Sequence, residues 1–143
     1  NGGMAPICHT VDLAPEDVDG VAAWADDARM DLTVVGPEAP LAAGLVDRLE
    51  QRRLRVFGPS ARAARIESSK AYAKALMRDA GIPTAEHRTF TDPAAAHRWI
   101  AERGAPIVVK ASGLAAGKGA VVCATEREAS EAAEAHEFSG PCF

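Results

Sequence analysis

Glycine and lysine side by side are the residue types that bind phosphate, and this chain concentrates them in one short stretch. Three glycines and two lysines lie in the run Lys110-Ala111-Ser112-Gly113-Leu114-Ala115-Ala116-Gly117-Lys118-Gly119. Glycine lets backbone N–H groups approach a ligand closely, and lysine supplies a compact positive charge. The stretch therefore predicts a backbone cradle for an anion such as a nucleotide phosphate. A long hairpin turn with incidental lysines is the alternative interpretation.

The stretch differs from the Walker A loop, G-x-x-x-x-G-K-[ST] followed by a helix. Three residues instead of four separate Gly113 from Gly117, and Gly119 stands where the loop needs a hydroxyl. Short β-branched runs at 107–109 and 120–123 predict strands on both sides. We therefore expect the tip of a β-hairpin that closes over phosphates, and a phosphate-transferring kinase is the least favoured class.

Lysine is scarce in the rest of the chain. Of 16 basic residues, only Lys70, Lys74, Lys110 and Lys118 are lysine. Lys70 falls in the first turn of a predicted helix, where the positive end of the helix dipole disfavours a cation. We expect Lys70 to reach into a site, with simple exposure as the alternative, and we interpret Lys74 as a surface residue.

Length and composition restrict the class of protein. The 143 residues, 48% hydrophobic and 25% charged, fit one soluble globular domain or two incomplete ones. A net charge of −4 and 5% aromatic residues argue against a nucleic-acid partner. Three widely spaced cysteines predict neither a disulfide framework nor a zinc site, which favours a cytoplasmic location. No signal peptide or membrane segment is expected, and the oligomeric state is not predicted.

The first half of the chain predicts a parallel βαβ unit. Apolar runs at 32–35 and 55–57 predict strands, and a helical pattern at 41–49 lies between them. A short strand at 5–11 and a helix over 15–28 precede this unit.

Ligands of such sheets bind beyond the carboxyl ends of the strands. This rule places Gly36, Pro37 and Glu38 at the functional edge, together with the second Gly-Pro pair at 58–59. Glu38 either accepts hydrogen bonds from a substrate hydroxyl or amine, or it is a carboxylate that favours the start of a helix. The sequence leaves both interpretations open.

The second half predicts helices around the glycine-rich stretch. A helix begins after Ser68 or Ser69 and ends at Ala80, and a strand follows over 84–90. Asp92 and Gly104 bound the next helix, and a capping box at 125–128 opens the last one. His87 and His97 have no partner at metal-ligand spacing, so both are interpreted as structural.

Five motifs, in this order and spacing, resemble the phosphoribosylamine–glycine ligase family of the ATP-grasp superfamily over nearly the whole chain. They are Val35-Gly36-Pro37-Glu38-Ala39-Pro40-Leu41-Ala42-Ala43-Gly44, Phe57-Gly58-Pro59-Ser60, Glu67-Ser68-Ser69-Lys70, Gly81-Ile82-Pro83-Thr84-Ala85 and the run from Val109 to Gly119. Other ATP-grasp proteins share the lysines and the hairpin, but not the first motif.

The resemblance implies an α/β fold and a reaction. Residues 1–66 would be the C-terminal part of a Rossmann-like pre-ATP-grasp domain, and residues 67–143 the start of the ATP-grasp domain with its glycine-rich hairpin lobe. The family joins glycine to 5-phosphoribosylamine through a glycyl phosphate, using ATP and Mg²⁺, with Mn²⁺ as an alternative metal. The products are glycinamide ribonucleotide, ADP and phosphate, in purine biosynthesis.

The resemblance also implies roles for individual residues. Gly36, Pro37 and Glu38 would line the phosphoribosylamine side. ATP would be bound by Lys70, Lys110, Ser112, Gly113, Leu114, Ala115, Ala116, Gly117, Lys118 and Gly119. No catalytic residue is identified in this segment, and the metal ligands and the adenine hinge are expected outside it.

We therefore expect the segment to be inactive alone. A non-catalytic nucleotide-binding module and another ATP-grasp carboxylate–amine ligase, such as a carboxylase subunit, are the alternatives.

Overall fold

The computed structural model describes residues 3–111, 113, 114 and 119–135. The chain divides into two compact units, Asn1–Ala64 and Arg65–Phe143. The described elements, in chain order, are α1 (Val18–Asp27), β1 (Thr33–Val34), α2 (Glu38–Ala43), α3 (Leu45–Gln51), β2 (Val56–Phe57), α4 (Ala61–Ser68), α5 (Lys70–Asp79), α6 (Pro93–Arg103), β3 (Ile107–Lys110), β4 (Ala120–Cys123) and α7 (Glu126–Ala135). No described helix is both long and apolar enough to cross a membrane.

The first unit contains the predicted parallel βαβ arrangement. Strands β1 and β2 pair in parallel, with Thr33 opposite Val56 and Val34 opposite Phe57. Helix α1 begins after Asp17, whose carboxylate accepts a hydrogen bond from the Gly20 N–H at 3.0 Å. The buried core consists of Ala22, Ala25, Val35, Leu41, Leu45, Val46, Leu49 and Ala64. The α/β prediction is therefore confirmed, and β1 ends beside the Gly36-Pro37-Glu38 segment.

Two predictions for this unit are wrong in detail. The expected strand over 5–11 is a turn and loop, because the N–H groups of Ile7 and Cys8 bond to the Met4 carbonyl instead of a neighbouring strand. The single helix expected over 41–49 is two helices, α2 and α3. They are separated at Gly44, which has a left-handed φ of 91° that glycine adopts without a Cβ clash.

The second unit is built on the predicted antiparallel hairpin. Strands β3 and β4 pair with Val108 opposite Val122 and Lys110 opposite Ala120. Helix α7 packs on both strands and on α6. The small core consists of Ile100, Val109, Cys123, Ala129, Ala132 and Ala133. Because side chains alternate along a strand, Val108 and Lys110 lie on the face of the hairpin opposite to that of the buried Val109.

Helix α6 has the predicted limits. The Asp92 carboxylate accepts hydrogen bonds from the N–H groups of Ala94 and Ala95, both at 3.1 Å. Gly104 ends the helix with a φ of 75°. These caps place Trp99 and Arg103 on the last turns of α6, close to the hairpin.

The strand expected over 84–90 does not form. Phe90 alone makes an isolated bridge, and residues 82–89 are neither helix nor strand. Side chains hold this segment instead of a strand ladder, since Lys74 bonds to Thr84 and Ala85, and Arg103 pairs with Glu86. The weak alternation of these residues reflects a loop that rests on two helices.

Candidate functional site

A cavity of about 560 Å³ lies in the second unit, between α5, the 85–88 segment and the outer face of the hairpin. Its apolar wall is formed by Ala73, Met77, Trp99, Ile107, Val108 and Val122. Its basic residues are Lys70, Lys74, Arg88, Arg103 and Lys110, whereas Glu86 is its acidic residue. Three of the four lysines of the chain therefore line one cavity.

Lys70 reaches from the start of α5 to the glycine-rich stretch. Ser69 caps the helix by accepting a hydrogen bond from the Tyr72 N–H at 3.3 Å. The Lys70 ammonium then donates to the Gly113 carbonyl at 3.0 Å, 43 residues along the chain. This contact explains a lysine at the unfavourable end of a helix, since its charge lies away from the helix start.

Lys110 is half-buried at the end of β3 and lines the same cavity. Just beyond it, the Ala111 N–H donates to the Gly119 carbonyl at 2.8 Å and closes the described part of the hairpin. Gly113 has a φ of 128°, which favours glycine, and Leu114 is exposed. The other predicted nucleotide-binding residues, Ser112 and residues 115–118, lie outside the described residues.

Lys74 is not the surface residue that the sequence suggested. Its ammonium donates to the Thr84 hydroxyl and, at 3.2 Å, to the Ala85 carbonyl, and its side chain lines the cavity. A signal was present in the sequence, because residues four apart share one face of a helix and Lys74 follows Lys70 by four.

Arg88 and Arg103 were not found by sequence reasoning either. Arg103 pairs with Glu86 at 3.0 Å. The guanidinium of Arg88 lies 5.9 Å from the centre of the Phe90 ring, which lies 5.7 Å from that of Trp99. No local pattern marks these arginines, since their approach depends on how the chain turns back between α5 and α6.

The electrostatics of the cavity favour an anionic ligand. Five cationic side chains face one carboxylate in a concave site with apolar walls. Such an arrangement focuses positive potential and raises the local concentration of anions. The apolar wall offers a surface for a flat or apolar group of the same ligand. The cavity can therefore accommodate an anionic ligand that also carries a flat or apolar group.

The segment Gly36-Pro37-Glu38 lies in the first unit, whereas the cavity lies in the second. All three residues are exposed, and Glu38 is the first residue of α2. This position agrees with a carboxylate that favours a helix start. The segment also follows β1 at the carboxyl end of a parallel pair, so both interpretations of Glu38 remain open.

No group of three His, Cys, Asp or Glu residues that could hold a metal ion occurs within residues 3–111, 113, 114 and 119–135. His97 lies 3.7 Å from Glu134, on the neighbouring helix α7.

Comparison of the sequence with known proteins finds matches over almost the whole chain. Residues 1–67 match the family model for the phosphoribosylglycinamide synthetase N domain, and residues 68–138 match that for the ATP-grasp (A) domain. Phosphoribosylamine–glycine ligase of Nostoc sp. is 53% identical over 137 residues, covering 94% of this chain and 32% of the relative. That of Halalkalibacterium halodurans is 49% identical over 129 residues, covering 90% and 30%.

Solved structures share the fold. Phosphoribosylamine–glycine ligase of Thermotoga maritima superimposes with a TM-score of 0.69 at 26% identity, over 99% of this chain and 34% of that one. The biotin carboxylase domain of the 2-oxoglutarate carboxylase of Hydrogenobacter thermophilus gives a TM-score of 0.70 at 21% identity, over 93% and 33%.

The fold and the cavity define part of an α/β protein of the ATP-grasp type. Within that class, the chain belongs to the phosphoribosylglycinamide synthetase family. The chain spans about a third of the length of the relatives that it matches.

Proposed function

We propose that this chain is the part of a phosphoribosylamine–glycine ligase that binds ATP and borders the amine substrate. The enzyme joins glycine to 5-phosphoribosylamine and forms glycinamide ribonucleotide, ADP and phosphate through a glycyl phosphate. It acts in the cytoplasm on these small molecules. We assign residues 1–66 to the Rossmann-like pre-ATP-grasp domain and residues 67–143 to the start of the ATP-grasp domain.

The observation that carries the proposal is the cavity of the second unit. Lys70 and Lys110 line it beside an apolar wall, and Lys70 also contacts the glycine-rich stretch at Gly113. A nucleotide needs both features, because its phosphates are anionic and its base is flat and largely apolar on its faces. The sequence identity of about 50% to named ligases supports this reaction. The TM-scores of 0.69 and 0.70 do not, because they fit a ligase and a carboxylase equally.

Each group has a distinct task in this proposal. The ammonium groups of Lys70 and Lys110 offset charge on the phosphates as one phosphoryl group moves to the carboxylate of glycine. Transfer of this kind is promoted mainly by positioning and by neutralisation of charge. The stretch from Ser112 to Gly119 covers the phosphates and excludes water, which protects an acyl phosphate from hydrolysis. Gly36, Pro37 and Glu38 border the phosphoribosylamine.

The described residues fit the nucleotide, since the cavity is basic and partly apolar. Mg²⁺, or Mn²⁺ in its place, would add positive charge at the phosphates. We assign its ligands and the adenine hinge to parts of the enzyme beyond this segment. The fold neighbour from Hydrogenobacter thermophilus is in complex with MgADP. This is consistent with the proposal, although that likeness shows the fold alone.

The test measures ADP release by the product of the whole reading frame that contains this chain. We expect release that requires both glycine and phosphoribosylamine, and a loss of about a hundredfold in Lys110→Met. Arg78→Met is the matched control, because Arg78 is exposed and pairs with its neighbour Asp79 outside the cavity. We expect the 143-residue chain alone to release no ADP.

Other outcomes point to the other candidates. ADP release that depends on a different carboxylate or amine would identify another ATP-grasp ligase. ATP binding by the whole product without any turnover would identify a non-catalytic nucleotide-binding module. Glycine-dependent release by the 143-residue chain, abolished in Lys110→Ala, would contradict the view that this segment is inactive alone.

A further inference from the structure

Residues 85–88 form one side of the cavity, and the segment 84–88 belongs to neither a helix nor a strand. Ala85, Glu86, His87 and Arg88 all line the cavity. A wall of this kind has no strand ladder to fix it, so side chains from neighbouring elements must hold its shape. Residues that hold it will affect ligand affinity through the shape of this wall, in addition to any contact with the ligand.

Two side chains from different helices hold the segment. Lys74 of α5 donates to the Thr84 hydroxyl and the Ala85 carbonyl, and Arg103 of α6 pairs with Glu86. The Arg103–Glu86 pair is largely exposed, at 56% and 73% of the two side chains, and exposed ion pairs contribute little. Lys74 is half-buried and donates to two consecutive exposed residues, so it holds more of the segment than the Arg103–Glu86 pair does.

The donors of Lys74 are mostly used in this contact. An ammonium group has three N–H donors, and two of them go to Thr84 and Ala85. Lys70 differs, because its described contact is with Gly113 of the glycine-rich stretch. The two lysines lie one turn apart on α5, but Lys74 holds the 84–88 segment whereas Lys70 contacts the glycine-rich stretch.

We propose that Lys74 is a positioning residue of the nucleotide site, which fixes the 84–88 segment so that the cavity is formed before the ligand arrives. The inference rests on the proposed function. A preformed wall matters because ordering a loose loop on binding lowers affinity. Loss of the Lys74 contact therefore weakens every ligand that uses this wall, AMP as well as ATP.

The experiment compares AMP and ATP by calorimetric titration of the intact protein and its variants. Lys74→Met keeps the aliphatic stem and removes the donors. We expect a dissociation constant about tenfold higher for AMP, from the loss of charge-assisted hydrogen bonds. The rise for ATP should be at least as large, because the variant also removes one cation of the cavity. Lys74→Arg, which can still donate to both acceptors, should recover most of the affinity. Arg78→Met, on the same helix but outside the cavity, should change neither constant.

A second variant separates positioning from contact with the ligand. Thr84→Val removes one acceptor of Lys74 and leaves the lysine in place. If Lys74 acts through the segment, Lys74→Met should add little to the loss already caused by Thr84→Val, because the two residues are coupled. A loss of ATP affinity in Lys74→Met with no loss in Thr84→Val would mean direct contact with phosphate and would overturn the assignment.

The remaining outcomes are also decisive. Unchanged affinity in both Lys74→Met and Thr84→Val overturns the positioning role but leaves the proposed function intact. Absence of saturable ATP binding by the unaltered protein overturns the proposed function and this role with it. If Lys74→Met does not fold, the Thr84→Val variant alone decides. An equal loss of affinity for AMP and ATP in this variant supports the positioning role, and unchanged affinity refutes it.

Discussion

At the scale of single residues, the two described cysteines occupy opposite environments. Cys123 is fully buried in β4, whereas Cys8 is exposed in the turn near the start of the chain. Burial raises the pKa of the Cys123 thiol above its ordinary value, the carboxylate of Glu128 raises it further, and a backbone hydrogen bond involving Val109 acts in the other direction. Because the thiolate is the reactive form, Cys123 should be inert in the folded protein.

Alkylation with iodoacetamide at pH 8 tests this expectation in a Cys142→Ser variant, which removes the cysteine outside the described residues. Peptide mass spectrometry should find Cys8 modified within minutes and Cys123 unmodified until urea is added. Modification of Cys123 at a rate close to that of Cys8 in the folded protein would contradict the buried position.

The same pKa shift predicts a dependence of stability on pH. Above the ordinary thiol pKa, the unfolded chain loses the Cys123 proton while the folded protein keeps it. The unfolded state then binds fewer protons, so the free energy of unfolding falls as pH rises from the unfolded pKa towards the raised folded pKa. Cys123→Ala should remove this decline, which urea titrations between pH 8 and pH 10 can measure.

The lysines show how far residue types alone lead. Lys70 and Lys110 were predicted at a site from their rarity and local context, and both line the cavity. Lys74 was assigned to the surface although it follows Lys70 by one helical turn, because the local sequence does not show the path that brings Thr84 and Ala85 to it. Contacts across a loop depend on its path, and short-range patterns do not determine that path.

At the scale of elements, the end of β2 packs closely against α2 and α3 at Gly58. A Cβ at this position would lie 2.9 Å from Cγ2 of Val46 and 3.1 Å from Cδ2 of Leu41, and the φ of Gly58 is 155°. Gly58→Ala should therefore lower the free energy of unfolding by about 1–3 kcal/mol, from crowding together with backbone strain. Urea denaturation followed by circular dichroism measures the change.

Two other glycines separate these causes. Gly81 has a φ of 67° with open space around it, so Gly81→Ala should show the strain alone, about 1 kcal/mol. Gly36 has no neighbour within 4 Å of the added Cβ, so Gly36→Ala should leave stability nearly unchanged. If Gly58→Ala costs no more than Gly81→Ala, the close approach of β2 to the two helices is not what fixes glycine at position 58.

Elements with strong end signals were predictable, and elements without them were not. The limits of helix α6 agree with the prediction because Asp92 and Gly104 are specific capping residues. The break between α2 and α3 was missed because the apolar spacing runs through Gly44 without interruption, and the left-handed conformation of this glycine is visible only in the structure. Helix α4 was assigned to no element, and it buries only Ala64.

At the scale of the whole molecule, each compact unit has its own hydrophobic core. The core of the first unit includes Leu49 and is packed by Trp24, and that of the second includes Ile100 and is packed by Trp99. The resemblance to the ligase family implied two parts with a boundary between residues 66 and 67. That boundary stays a prediction, and it falls within helix α4.

The separate cores predict that a cavity in one unit destabilises that unit more than the other. Leu49 is fully buried, and Leu49→Ala should cost about 2–5 kcal/mol through lost burial and the space left behind. Single-tryptophan variants, Trp99→Phe and Trp24→Phe, allow each unit to be followed by fluorescence in urea. The midpoint reported by Trp24 should fall clearly, and that reported by Trp99 should move much less. Leu32→Ala, at a position 56% exposed, is the control and should shift neither midpoint. Equal shifts at both tryptophans in Leu49→Ala would show that the two cores unfold as one cooperative unit.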